Sequence, residues 1–188
     1  MERLKLICIY LSSLFLVGSC APVRVVEYQK NPSADLSSYK TFGFYNLEKE
    51  GLIGENFESN LEVLKNSIRN ELSLRGYEES KVDAELLINI GVIVKEEVQT
   101  RQTDFQTDAY KYSGQRNYYW ESKEVEINRY KEGTVRLEFV DAKQNTRVWF
   151  AAAAGTVTEK KEEVEKRISE AMKKLFTYFP IDIPDSNK

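Results

Sequence analysis

The sequence predicts an α+β domain: a mainly antiparallel β-sheet with two α-helices packed on one face. Two stretches, 57–75 and 158–179, space their apolar residues three and four apart, which lays them along one side of a helix. Several other runs alternate apolar and polar residues with the period of a half-buried strand. Short, turn-rich links join the last three of these runs, favouring hairpins there and crossovers only where a helix intervenes.

The chain opens outside that domain. Arg3 and Lys5 precede an apolar run from Leu6 to Val17, broken only by Ser12 and Ser13, and the small residues Gly18 and Ser19 follow. This is the composition of an export signal, and its apolar run falls short of the roughly 20 residues that span a bilayer. The stretch Leu16-Val17-Gly18-Ser19-Cys20 resembles a bacterial lipobox. That resemblance implies cleavage before Cys20, a diacylglyceryl group on its thiol and acylation of the new amino terminus. The expected organisation is a signal peptide at 1–19, a lipidated cysteine and short tether at 20–22, one domain at 23–180 and a frayed tail at 181–188.

The β-branched run Val23-Arg24-Val25-Val26-Glu27-Tyr28 reads as the first strand, so the domain begins within a few residues of Cys20. Asn31-Pro32-Ser33-Ala34-Asp35 is turn chemistry. A short strand follows over Tyr39 to Tyr45, with Phe42 and Phe44 on one face. In the first helix Phe57, Leu61, Leu64, Ile68 and Leu72 form the stripe, Asn56 or Ser59 is placed to cap the start, and Gly76 is a left-handed stop. Leu86 to Lys95 reads as a central strand, with Ile88, Ile90, Val92 and Val94 facing a helix.

Between Gln99 and Ser122 the alternation is lost. Tyr110, Tyr112, Tyr118, Tyr119 and Trp120 stand among Gln, Asp, Ser, Gly and Arg, as a long loop or an extended hairpin. Structureless loops beyond about 12 to 15 residues are uncommon and tend to serve function or remain disordered. Glu124 to Tyr130 restores strict alternation, Lys131-Glu132-Gly133 is expected to turn the chain, and Thr134 to Val140 forms the next strand. Asp141 to Thr146 closes a hairpin onto Arg147 to Ala154. Ala151 to Ala154 would be helix by propensity, but Val-Trp-Phe before them and the hairpin context favour strand. The last helix opens near Thr158, places Glu159, Glu162 and Glu163 at its positive end, and stops at Pro180.

Composition excludes several functions. The chain has no histidine, which removes the commonest general base, the commonest metal ligand and every Ser-His-Asp triad. Cys8 lies in the segment to be removed and Cys20 is to be acylated, so no thiol remains for disulfides, zinc or nucleophilic attack. Loss of Glu2, Arg3 and Lys5 with the signal moves the formal net charge from -3 to -4, the wrong sign for nucleic acid or for adhesion to anionic lipid.

Three stretches resemble the DUF4136 family of bacterial envelope lipoproteins. They are Tyr28 to Phe42 with Asp35-Leu36-Ser37-Ser38-Tyr39-Lys40-Thr41-Phe42, then Gly76-Tyr77 to Asp83-Ala84-Glu85-Leu86-Leu87-Ile88-Asn89, and Gly133-Thr134-Val135 through Val140-Asp141-Ala142-Lys143 to Val148-Trp149. The resemblance implies an envelope lipoprotein of unassigned biochemical role. It carries over no catalytic residue. Its tyrosine- and glycine-rich insertion corresponds to Tyr110 to Trp120, which here has only Gly114 and more charge.

The functional expectation is a non-catalytic interaction or structural module on the outer membrane, lipid-anchored at Cys20 and facing the periplasm, without catalytic residue, metal or other cofactor. Ala21 stands where aspartate would favour retention, and Ala21 to Val26 lack an acidic run for surface display. Tyr110, Tyr112, Tyr118, Tyr119 and Trp120 are the candidate surface for an envelope protein or a glycan, because such rings give large contact area at small entropic cost. The alternative is a carboxylate-dependent hydrolase or a small-ligand carrier in the periplasm. Asp104 and Asp108 are an acid pair at chance spacing, and Trp149 beside Phe150 reads as packing. A pocket with two carboxylates about 5 to 9 Å apart would favour the hydrolase, whereas a closed core would remove both alternatives.

Overall fold

The computed structural model describes residues 23–104, 122–158 and 160–184. Its elements are β1 (Arg24–Lys30), β2 (Thr41–Gly51), α1 (Phe57–Ser73), β3 (Glu78–Glu79), β4 (Leu86–Gln102), β5 (Glu124–Asp141), β6 (Thr146–Val157) and α2 (Lys161–Phe176). Among the described residues the strands form one sheet in the order β1-β6-β5-β4-β2-β3. The pairs β1–β6, β6–β5 and β5–β4 are antiparallel. The sheet is mixed, because β2 runs parallel to both β4 and β3. The helix α1 supplies the long crossover that parallel neighbours require.

Cross-strand register decides what the helices cover. Ile88, Phe139 and Trp149 lie abreast on β4, β5 and β6, followed by Ile90, Leu137 and Ala151, then Val92, Val135 and Ala153. Leu61, Leu64, Ile68 and Leu72 of α1, with Ala171, Met172, Leu175 and Phe176 of α2, bury their stripes on this face. Each large side chain fully buried there contributes roughly 1.5–3 kcal/mol. On the opposite face Phe150 is buried beneath the guanidinium groups of Arg136 and Arg147, 5.5 and 5.2 Å from its ring centre.

The helices run in the same direction. Ser67 and Ser169 face each other at mid-helix with oxygens 3.4 Å apart, and Arg75, just past the end of α1, reaches the carbonyl oxygens of Phe176 and Ile181 beyond the end of α2. Gly76 takes the left-handed conformation expected of it, φ +83°.

Several boundaries differ from the sequence reading. No turn occurs at Lys131-Glu132-Gly133: β5 is one strand of 18 residues. Its two neighbours continue alongside, so Lys131 lies opposite Glu96, Glu132 opposite Lys95, and Gly133 between Val94 and Gly155. Pairing on both sides and complementary charges outweigh the local turn signal. The strand β2 extends to Gly51 because β4 offers it a continuous partner, with one irregularity between Phe44 and Asn46. Asn56 occupies the N-cap position of α1 but makes no side-chain capping bond, and the Ser59 hydroxyl donates back to the Asn56 carbonyl. The tail is held beyond its expected fraying point, since Arg75 Nε donates to the Ile181 carbonyl at 2.9 Å and Ile181 packs on the core.

The ends of the 99–122 segment are strand. Gln99 to Gln102 belong to β4 and pair with β5, and the Thr103 amide donates to the Lys123 carbonyl at 2.8 Å. The two strands thus form an exposed antiparallel ribbon, with Val98 and Ile127 open to solvent.

Candidate functional site

At their C-terminal ends the helices close tightly over the sheet. Phe139, Trp149, Phe176 and Phe179 stack and tilt against one another with ring centres 5.1 to 6.3 Å apart. The Arg75 guanidinium lies 5.2 Å above the Phe176 ring and pairs with the Glu71 carboxylate at 2.7 Å. Trp149 is buried as packing, its Nε1 donating to the Tyr178 carbonyl at 3.2 Å.

At their N-terminal ends the helices part. The gap is an open groove of about 540 Å³, walled by Leu61 and Leu64 of α1 and by Val164 and Ile168 of α2, and floored by Val92, Val135 and Ala153. This lies within the roughly 300–1,000 Å³ of small-molecule sites. The floor stays low because Ala153, Gly133 and Gly155 project almost nothing above the backbone. Val23 closes one end: a Cβ built on Gly155 would come 3.3 Å from its Cγ2, and its carbonyl accepts from Lys174 Nζ at 2.6 Å.

Polar groups stand at the rim. Lys131, Lys161 and Arg167 line it with Glu55, the one carboxylate-bearing side chain among its described lining residues. Arg167 donates to the Thr156 carbonyl, which holds its side chain beside the end of β6. Asn60 contributes a buried side-chain oxygen without a hydrogen-bond partner among the described residues. The arrangement can take up an apolar chain and meet a polar group at its mouth. Nothing in it resembles an acid-base pair.

Cys20 and the aromatic residues Tyr110, Tyr112, Tyr118, Tyr119 and Trp120 lie outside the described residues, as does Asp108. Asp104 is exposed at the end of the described part of the ribbon. Sequence reasoning missed the groove, because its walls belong to the same apolar stripes that build the core. The run of small residues from Ala151 to Gly155 was the available signal.

A family model described as a domain of unknown function, DUF4136, matches residues 25–181. The chain belongs to the DUF4136 family. Among solved structures, this DUF4136 chain is similar to a DUF4136 family protein from Bacteroides thetaiotaomicron, with 16% identity over 84% of this chain and 96% of that one and a TM-score of 0.48. It is also similar to a PDZ domain protein from Parabacteroides distasonis, with 15% identity over 92% of this chain and a TM-score of 0.49. The chain spans 40% of the length of that protein. A PelC dodecamer from Paraburkholderia phytofirmans matches at 12% identity over 83% and 97% of the two chains, TM-score 0.42. Likenesses this distant carry no functional argument. No curated protein matches the chain.

Proposed function

We propose that this DUF4136 protein is a lipid-anchored, non-catalytic binding module of the bacterial outer membrane, facing the periplasm, and that its groove takes up an apolar chain. The observation that carries this reading is the open apolar groove between the N-terminal halves of α1 and α2, with Val23 in its wall. Val23 follows Cys20 by three residues, a reach of about 10 Å at full extension. Acylation of Cys20 would therefore hold the groove against the bilayer surface, where apolar chains are most available.

A single carboxylate at the rim supports binding over hydrolysis, since a carboxylate-dependent glycoside hydrolase needs two acids about 5 to 9.5 Å apart. Lipid on Cys20, together with the lack of histidine, leaves carboxylates, lysines and tyrosines as the remaining reactive groups. The aromatic residues of 110–120, which follow the β4 side of the ribbon in sequence, are the proposed surface for an envelope protein or glycan.

Two measurements on the full chain test the reading. Metabolic palmitate label should enter the wild type and not Cys20→Ser, and Nile red should fluoresce on the purified Cys20→Ser protein and lose that signal with Val164→Trp added. An unlabelled wild type rejects the anchor; dye uptake indifferent to Val164→Trp rejects the groove.

A further inference from the structure

We propose that the groove's ligand is a long-chain fatty acid, its single acyl chain lying on Val92, Val135 and Ala153 and its carboxylate meeting Lys131, Lys161 and Arg167. This rests on the reading of the groove as a binding site and adds the chemistry of its occupant.

The charge at the mouth runs against that of the molecule. The chain as a whole is net negative, yet the groove's described ionisable lining residues are three cations and one acid. The cations gather on one side. Lys131 lies opposite Val157 in the β5–β6 register, Arg167 bonds to the Thr156 carbonyl, and Lys161 opens α2 four residues after Val157. Glu55 stands apart from them, on the link between β2 and α1. An anionic group is thus favoured at the β6 side of the mouth, with apolar wall directly behind it.

Size selects the number of chains. At roughly 30 Å³ for each water-sized group, a volume of about 540 Å³ takes one long acyl chain and has no room for two. A choline-type headgroup would bring its own cation against a rim that is already cationic. One chain with one carboxylate satisfies both constraints.

The test uses full-length Cys20→Ser protein, so that no attached acyl chain competes, with Nile red as reporter. Palmitate should displace the dye; hexadecanol and lysophosphatidylcholine should do so at least about tenfold more weakly, the weight of one charge-assisted hydrogen bond. Replacing Lys131 and Lys161 together by alanine should weaken palmitate by about tenfold and leave the dye and hexadecanol unchanged, with circular dichroism confirming the fold. Equal competition by the acid and the alcohol, stronger competition by lysophosphatidylcholine, or an unchanged double variant would overturn the fatty-acid assignment while the groove stands. Dye uptake that ignores Val164→Trp brings down the underlying binding reading instead.

Discussion

Tyr39 donates its hydroxyl to the Asp141 carboxylate, Oη to Oδ2 at 2.7 Å, joining the approach to β2 with the end of β5 across 102 positions of sequence. The other oxygen of Asp141 accepts from the backbone amides of Lys143 and Gln144 at 2.8 and 2.7 Å, so one buried carboxylate organises the β5–β6 turn and fastens a distant segment to it. Replacing Tyr39 by phenylalanine removes one bond and keeps the ring. Urea unfolding should show a loss of roughly 1 kcal/mol, and Asp141→Ala, which also releases the turn, should lose more.

The same group makes stability depend on acid. The Gln144 amide first, and then the Tyr39 hydroxyl, hold the Asp141 carboxyl below its ordinary value. A depressed folded-state pKa contributes stability above the unfolded value near 3.8, and that contribution is lost as pH falls through the folded value. Thermal unfolding followed down from neutral pH should show a melting-temperature decline that is shallower in Asp141→Asn.

Alkali acts through two tyrosines. Burial above all, and the Asp141 carboxylate next, push Tyr39 up to about 12; burial likewise pushes Tyr77 to about 12, its hydroxyl donating to the Leu36 carbonyl at 2.8 Å. A raised folded-state pKa contributes stability that is complete below the unfolded value near 10 and disappears as pH rises through the folded one. Phenolate absorbance should therefore show two tyrosines ionising late, and chemical stability should fall between about pH 10 and 12. The double variant Tyr39→Phe, Tyr77→Phe should lose that fall.

Gly51 ends β2 with φ +88°, and a Cβ there would lie 2.0 Å from the Val94 carbonyl oxygen. Gly51→Ala should cost about 3 kcal/mol through backbone strain and the collision together. Gly54→Ala, with nothing within 4 Å of its added carbon, should change stability by no more than about 0.5 kcal/mol in the same denaturant titration.

Arg75 satisfies the carbonyls of Glu71, Phe176 and Ile181 and the carboxylate of Glu71, with its side chain only 7% exposed. Truncation to alanine should cost about 3 kcal/mol by leaving those acceptors buried. Arg75→Lys should recover little of it, because an ammonium cannot reproduce the fork. Hydrogen exchange should show the loss concentrated at the C-terminal ends of the two helices.

Much of this fold was legible because its signals are periodic. The stripes of α1 and α2, the alternation of β4 and the Asp141–Asn145 turn each rest on local spacing that burial then enforces. The uninterrupted β5 was illegible, since Gly133 in isolation is a turn residue and becomes strand only when β4 and β6 flank it. The groove was illegible for a related reason: Leu64 and Ile168 have the same spacing whether the helices touch or part. Only three-dimensional splay separates those cases. The small residues of β6 mark where a helix could approach, and the observed N-terminal halves leave that floor open.

The placement of β1 has a consequence for biogenesis. Its only hydrogen-bonded neighbour is β6, with Arg24 opposite Ala154 and Lys30 opposite Trp149, so the first strand waits for nearly the last one made. Such high contact order delays closure of that edge. During synthesis or translocation from the amino terminus, the residues leading into β1 cannot be sequestered by folding until Thr146–Val157 has emerged. The order of assembly thus keeps the leading end open to processing enzymes for most of the chain's passage.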